Sequence, residues 1–232
     1  GNACRPLSSD TLLVEILSEA AMQGDAIDRK RQHADTLTAY ILTATDPLRY
    51  QLDLLSLTPA ARYFVMTMAS THHQISPLCR FLESVLRAND VGSSSEGGLD
   101  AYALFVLVTA FCQDQARRSD GTGASCCGVT LQRLLKSMTR CLRRGGCLAV
   151  TCSNPPCLSP ICVAAQSDLR QRASREFRPA LRGLYDKALV IQDPADMRRN
   201  LAASCDVEKL QRALGNLRPW ILHGKAIAPP MA

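Results

Sequence analysis

The sequence predicts a mainly α-helical fold with two or three short strands. Two observations carry that expectation. Apolar residues recur three and four positions apart through most of the 232 residues, which is the spacing of one helix face. The window 101–112 is apolar almost throughout, interrupted only by Thr109, as in a helix buried on every side. Short extended stretches at 51–57, 147–151 and 189–194 supply the strands.

The elements follow in order. Leu12, Leu13, Ile16, Leu17, Ala20 and Ala21 place a helix over 9–22, capped by Ser8 or Ser9 and ended at Gly24. Ile27, Ala34, Leu37, Ile41 and Leu42 place a second over 25–43, stopped before Pro47. Pro59 opens a third, over 59–71, with Tyr63, Phe64, Met66 and Met68. Pro77 opens a fourth, over 77–88, with Leu78, Phe81, Leu82, Val85 and Leu86 as its apolar face. A Gly/Ser loop over 91–98 leads into the central helix at 100–113, where Leu104 and Leu107 are expected to be buried. A flexible linker is expected over 119–128 and a helix over 129–143. An irregular Cys/Gly/Pro-rich stretch reaches to about 160, with a short strand at 147–151. A long helix is expected over 166–188, then a short extended segment, then a last helix through Val207, Leu210, Ala213, Leu214 and Leu217.

Composition narrows the function classes. Apolar residues at 47% and charged residues at 21% describe a globular chain. Aromatics at 5% leave too few rings for a broad base-stacking platform. No apolar run reaches the roughly 18 residues of a membrane span, so no membrane association is expected. Residues 1–4 lack the basic and apolar regions of a signal peptide, and an intracellular setting is expected. The charge is +6 and uneven: residues 1–116 carry 8 Lys+Arg against 13 Asp+Glu, and residues 117–232 carry 19 against 8. A basic second half suits RNA or an acidic protein partner, or is simply a solvated surface. Within it Arg175, Arg178 and Arg182 stand at i, i+3 and i+7, one stripe of the helix at 166–188. They are the candidate residues for RNA or partner binding, with Pro179 as a possible kink in the stripe.

Eleven cysteines is an odd count in a chain of this length, which argues against a small disulfide-stapled module. Cys152, Cys157 and Cys162 are evenly spaced, but the second pair that closes a zinc site is missing and no His lies between His73 and His223. The expectation is reduced thiols and no metal. His72 and His73 read as packing or surface residues. P-loop, nucleophile-elbow, zincin and dinucleotide-binding motifs are absent from the sequence.

Three segments do form a pattern. Gly97, Gly98, Leu99, Asp100, Ala101, Tyr102, Ala103 and Leu104 open the most apolar helix. Ile191, Gln192, Asp193, Pro194, Ala195, Asp196 and Asn200 precede the last helix. Upstream, Gln51, Leu52, Asp53, Leu54, Leu55 and Ser56 form the short extended segment. In this order they resemble the motifs of template-independent poly(A) polymerases and terminal uridylyltransferases. The resemblance covers about 51–217. It implies the helical central domain of that family (the PAP-associated domain), with 1–50 as a preceding helical segment, 51–222 as the domain, 119–165 as a Cys/Gly/Pro-rich insertion or irregular region and 223–232 as a tail. It implies that Asp53 stands on the strand of the third catalytic carboxylate and that Tyr102 stands where the family stacks a base.

The departures from the family decide the expected function. Its two metal ions need paired carboxylates, and the sequence holds no D-x-D. Only about five residues separate the end of the second helix, near Thr45, from Gln51, where the family has its catalytic palm. Asp53 is therefore a vestige. Glu83 stands where the family has a lysine for the nucleotide phosphates, an anion in place of a cation. Asp100 and Ala101 replace two serines, and Asp100 reads as a helix cap. With those contacts gone, Tyr102 reads better as a core aromatic. The expected protein is a nucleotidyltransferase-like pseudoenzyme with a missing or vestigial palm, needing no cofactor. It would act as a scaffold or adaptor among the protein subunits of an RNA-processing complex, in nucleus, cytoplasm or mitochondrion. Three alternatives stand beside it: an active enzyme whose palm is absent between Asp46 and Gln51, using Mg²⁺ with UTP or ATP; an Arg-rich RNA-binding module; and a helical protein-interaction domain unrelated to RNA.

Overall fold

The structure is a computed structural model and describes residues 56–118, 127–143, 147–153, 157–163 and 188–223. Those residues form α1 (Pro59–Thr71), α2 (Ile75–Ala88), α3 (Ala101–Arg118), α4 (Cys127–Arg143), the strands β1 (Cys147–Ser153), β2 (Cys157–Val163) and β3 (Leu189–Ile191), and α5 (Val207–His223). The fold is mainly helical with one small sheet, as the periodicity requires. The helices expected at 9–22, 25–43 and 166–188 lie outside the described residues, save Ala188, which is a bend leading into β3. Among the described residues no helix is long and apolar enough to cross a membrane.

α1 begins as its sequence dictates. Pro59 sits in the first turn, and the Thr58 hydroxyl accepts from the Ala61 amide at 3.3 Å. α2 begins at Ile75, two residues before the expected Pro77. A proline in the first turn removes an N–H that no helical carbonyl would accept, so it does not have to be the first residue. α2 ends with Asp90 in the left-handed region at φ 54°. The Asp90 amide donates to the Arg87 carbonyl and the Val91 amide to the Leu86 carbonyl. This pair of bonds is the Schellman closure, and it turns the chain back toward the core, where Val91 is buried.

α3 is the centre of the fold. Every residue from Tyr102 to Cys112 is buried, as its near-uniform apolarity predicts. Phe64 of α1 meets Phe105 edge to face, with centroids 6.4 Å apart at 84°. α2 packs along α3, and α4 and α5 pack on each other and on this pair. α4 starts at Cys127, inside the stretch expected to be a linker. Tertiary contact overrides local propensity there: the Cys127 thiol reaches the Gln74 carbonyl at 3.9 Å and Thr130 reaches the Gln74 side chain at 3.3 Å.

The second departure is the hairpin. The irregular stretch is in fact two strands, β1 and β2, paired antiparallel from Cys147 opposite Val163 to Ser153 opposite Cys157. β3 lies parallel on the other side of β1, giving the order β2-β1-β3. Pro160 is tolerated because β2 is an edge strand. α3 covers that edge. The Leu158 amide donates to Gln113 Oε1 at 2.7 Å, and Arg117 donates to the Leu158 carbonyl at 2.5 Å and to Ser159 Oγ at 2.8 Å. An uncovered edge would leave those groups open to pairing with another chain.

Most of the described cysteines are core residues. Cys79, Cys112, Cys127, Cys147 and Cys152 are buried free thiols, and the register puts Cys152 opposite Leu158, so Cys157 falls on the other sheet face. Burial pushes the Cys152 and Cys205 thiols up to about 11 and Cys147 to about 12. A thiol harder to ionise in the folded state keeps its proton longer there. Its stabilising effect is complete below the unfolded value of about 8.5 and is lost as pH rises toward the folded one. Stability measured by urea unfolding should therefore fall steadily between about pH 9 and 11. A flat profile over that range would show that these thiols ionise as freely as in the unfolded chain.

Candidate functional site

Two glycines set the entrance to α3. Gly97 has φ 81°, a conformation that side chains resist. Gly98 lies against the Val91 carbonyl, and its amide donates to Ser93 O at 2.7 Å. The Gly97 carbonyl accepts from the Asp206 amide at 2.7 Å, and the Asp206 side chain accepts from the Glu208 and Lys209 amides at 3.1 Å each. One aspartate thus caps α5 and fastens it to the glycine turn. Asp100 precedes α3, and its carbonyl accepts the first helical bond, from Leu104 N at 2.9 Å. Its carboxylate does not cap the helix as expected. It accepts from the Ser94 amide at 2.9 Å and so braces the serine loop.

The segment after β3 is built on buried amides. Gln192 accepts from the Cys152 amide at 2.8 Å and donates to the Met197 carbonyl at 2.7 Å. Asn200 accepts from the Ile191 and Ala202 amides at 2.9 and 3.0 Å. These bonds hold 192–200 in a tight loop against the sheet, and they place Asp193 under α3. Tyr102 donates to Asp193 Oδ1 at 2.9 Å, across 91 residues of sequence. The Ala195 amide donates to the same oxygen at 2.8 Å, and Arg199 lies 3.8 Å from the other. Asp193 is only 3% exposed, so three partners hold a carboxylate that burial alone would disfavour.

A cavity of about 430 Å³ opens beside this group, lined by Ser56, Leu57, Thr58 and Ala61, by residues 100–103, and by Asp193, Arg199 and Leu201. Burial holds the Tyr102 phenol well above the usual tyrosine range, and the Asp193 charge and hydrogen bond add to this while Arg199 opposes it. Tyr102 is therefore a neutral donor, buried in the core with one side on the cavity. Removing its hydroxyl leaves a buried carboxylate short of a donor. Tyr102→Phe should cost about 1.5–3 kcal/mol in a denaturant titration; a loss below about 0.5 kcal/mol would mean that the bond contributes nothing.

The structure thus brings Asp100, Ala101 and Tyr102 together with Asp193 and Arg199. Glu83 is elsewhere: it pairs with Arg87 at 2.6 Å, one turn along α2, and does not line the cavity. Asp53, Arg175, Arg178 and Arg182 lie outside the described residues. Arg199 is the site residue that sequence reasoning missed. Its only signal was its place beside Asn200 in the motif segment. Among the described residues no three His, Cys, Asp or Glu side chains are grouped to hold a metal. No protein-family model matches the chain, and no curated protein or solved structure matches it either.

Proposed function

We propose that the protein is a catalytically inactive, nucleotidyltransferase-like scaffold or adaptor in an RNA-processing complex. One observation carries the reading. Residues from the three segments that resemble the nucleotidyltransferase motifs line one cavity: Ser56, the described end of the first, Tyr102 in the second and Asp193 in the third. Convergence of separate segments on one pocket is what a shared ancestral site would leave behind.

The chemistry of that pocket favours a pseudoenzyme. Asp193 Oδ1 accepts from Tyr102 and the Ala195 amide, Arg199 lies 3.8 Å from Oδ2, and Asp100 Oδ1 accepts from the Ser94 amide. Both carboxylates already serve protein donors, and among the described residues no third acidic side chain is grouped with them to hold the metal ions of a phosphoryl transfer. Arg199 is the one cation lining the cavity among the described residues, and it faces Asp193.

The test is nucleotide binding and transfer by the 232-residue chain. Mg²⁺ with UTP or ATP should give no thermal shift, because a ligand stabilises only what it binds. An RNA primer should not be extended, and Glu83→Lys should not restore extension. Primer extension by the unmodified chain, abolished by Asp53→Ala, would overturn the reading in favour of an active enzyme.

A further inference from the structure

A second cavity, of about 350 Å³, lies between α3, α4 and the β1–β2 hairpin, and its lining is basic. Arg133, Lys136 and Arg140 line it from α4, and Arg118 lines it from the last turn of α3. The three α4 residues stand at i, i+3 and i+7 and share one stripe of the helix. Asp114 is the single carboxylate in the lining among the described residues. It pairs with Arg118 at 2.9 Å and lies 3.9 Å from Arg133 Nη1. One carboxylate, with the partial negative charge of the α3 C-terminus, faces four cations. The Arg133 Nη1 atom is shielded from solvent and has no protein acceptor in hydrogen-bond range. Phe111, Leu148 and Pro160 complete the walls with apolar surface.

We propose that this cavity binds the phosphate backbone of single-stranded RNA. In this assignment Arg133, Lys136 and Arg140 of α4 are the phosphate donors, and Asp114 is an internal counter-ion that the strand displaces, which frees Arg118 to donate from α3. Donors reach the cavity from two walls. A phosphate presents oxygens in several directions and accepts from both, whereas one guanidinium saturates the planar face of a carboxylate. From Arg133 to Arg140 the stripe rises about 10 Å, longer than one phosphate group, so successive phosphates of a strand fit it better than a single free anion. The apolar walls suit the sugar between phosphates. None of the described lining residues is Trp or Tyr, so the contacts read backbone and not sequence.

The experiment measures binding of a labelled mixed-sequence RNA strand to the full chain between roughly 50 and 200 mM salt. The triple variant Arg133→Ala, Lys136→Ala, Arg140→Ala should lose at least about tenfold in affinity. Its salt slope should shrink by about 0.7 for each phosphate contact removed. A charge-matched variant, Arg198→Ala, Lys209→Ala, Arg212→Ala, alters exposed cations away from the cavity and should bind nearly as the parent does. Asp114→Asn should tighten binding several-fold, a gain that a merely structural carboxylate would not produce. If the cavity triple variant does not fold, Arg140→Glu, an exposed position, carries the same test. Equal losses in the two triple variants would reduce the effect to net charge and overturn the assignment. Displacement of the RNA by polyglutamate at matched charge would overturn it in favour of an acidic protein partner.

Discussion

Gly98→Ala is expected to destabilise the protein by about 3 kcal/mol or more, at the upper end of overpacking costs. A methyl group at this position would fall inside the Val91 carbonyl oxygen, with the Val91 carbonyl carbon and Cα close behind. Those are backbone atoms and cannot rotate aside. Val91 is anchored by its own amide bond to Leu86 and by burial, so the turn into α3 must open instead. That turn places Asp100, Ala101 and Tyr102 at the candidate site, so the bond between Tyr102 and Asp193 should weaken with it. Gly215→Ala supplies the comparison. A methyl there meets nothing within 4 Å, and the residue sits inside α5. The same chemical change should stabilise by about 0.5–1 kcal/mol, because alanine loses less entropy in a helix. Urea unfolding of both variants decides the matter, and two shifts of the same sign would mean that the close approach at Gly98 is misplaced.

Phe105→Ala should cost about 3–5 kcal/mol. Phe105 is 2% exposed, in the second turn of α3, with its ring against Phe64. Truncation forfeits the transfer free energy of the ring and leaves a cavity that helices on either side cannot close. The ring pair adds a further part of the loss. Leu104→Ala, one residue earlier and equally buried, should fall at about 2–5 kcal/mol. Tyr63→Ala on the outer face of α1 is the control: Tyr63 is 74% exposed, and its loss should stay within about 0.5 kcal/mol. A Phe105→Ala variant as stable as Tyr63→Ala would show that α3 is not the centre of the core.

Most of the helical layout was legible from local pattern. Leu78, Phe81, Leu82, Val85 and Leu86 are buried along α2 as their spacing requires, and the uniform apolarity of α3 marked it as central. Boundaries were less legible. Pro77 drew the start of α2 two residues late, and Cys127 and Gly128 looked like linker. The candidate site was half legible. Tyr102 and Asp193 each stood in a recognisable segment, but nothing in either segment specifies that the phenol meets the carboxylate. Asp100 was legible as a residue at a helix start, yet its carboxylate bonds backward to Ser94.

What the sequence determined by itself was the set of amphipathic and apolar faces, because a helix face repeats every three to four residues and each repeat is visible locally. Only the tertiary structure decided the hairpin, the Tyr102 and Asp193 pair, and the basic cavity. Cys157, Leu158 and Pro160 carry little strand signal of their own. They form β2 because β1 supplies one set of hydrogen bonds and Gln113 and Arg117 of α3 supply the other. Arg118 and Arg133 face one cavity only because α3 and α4 pack side by side. These pairings join residues far apart in the chain, and their free energy depends on burial and desolvation that no local window contains.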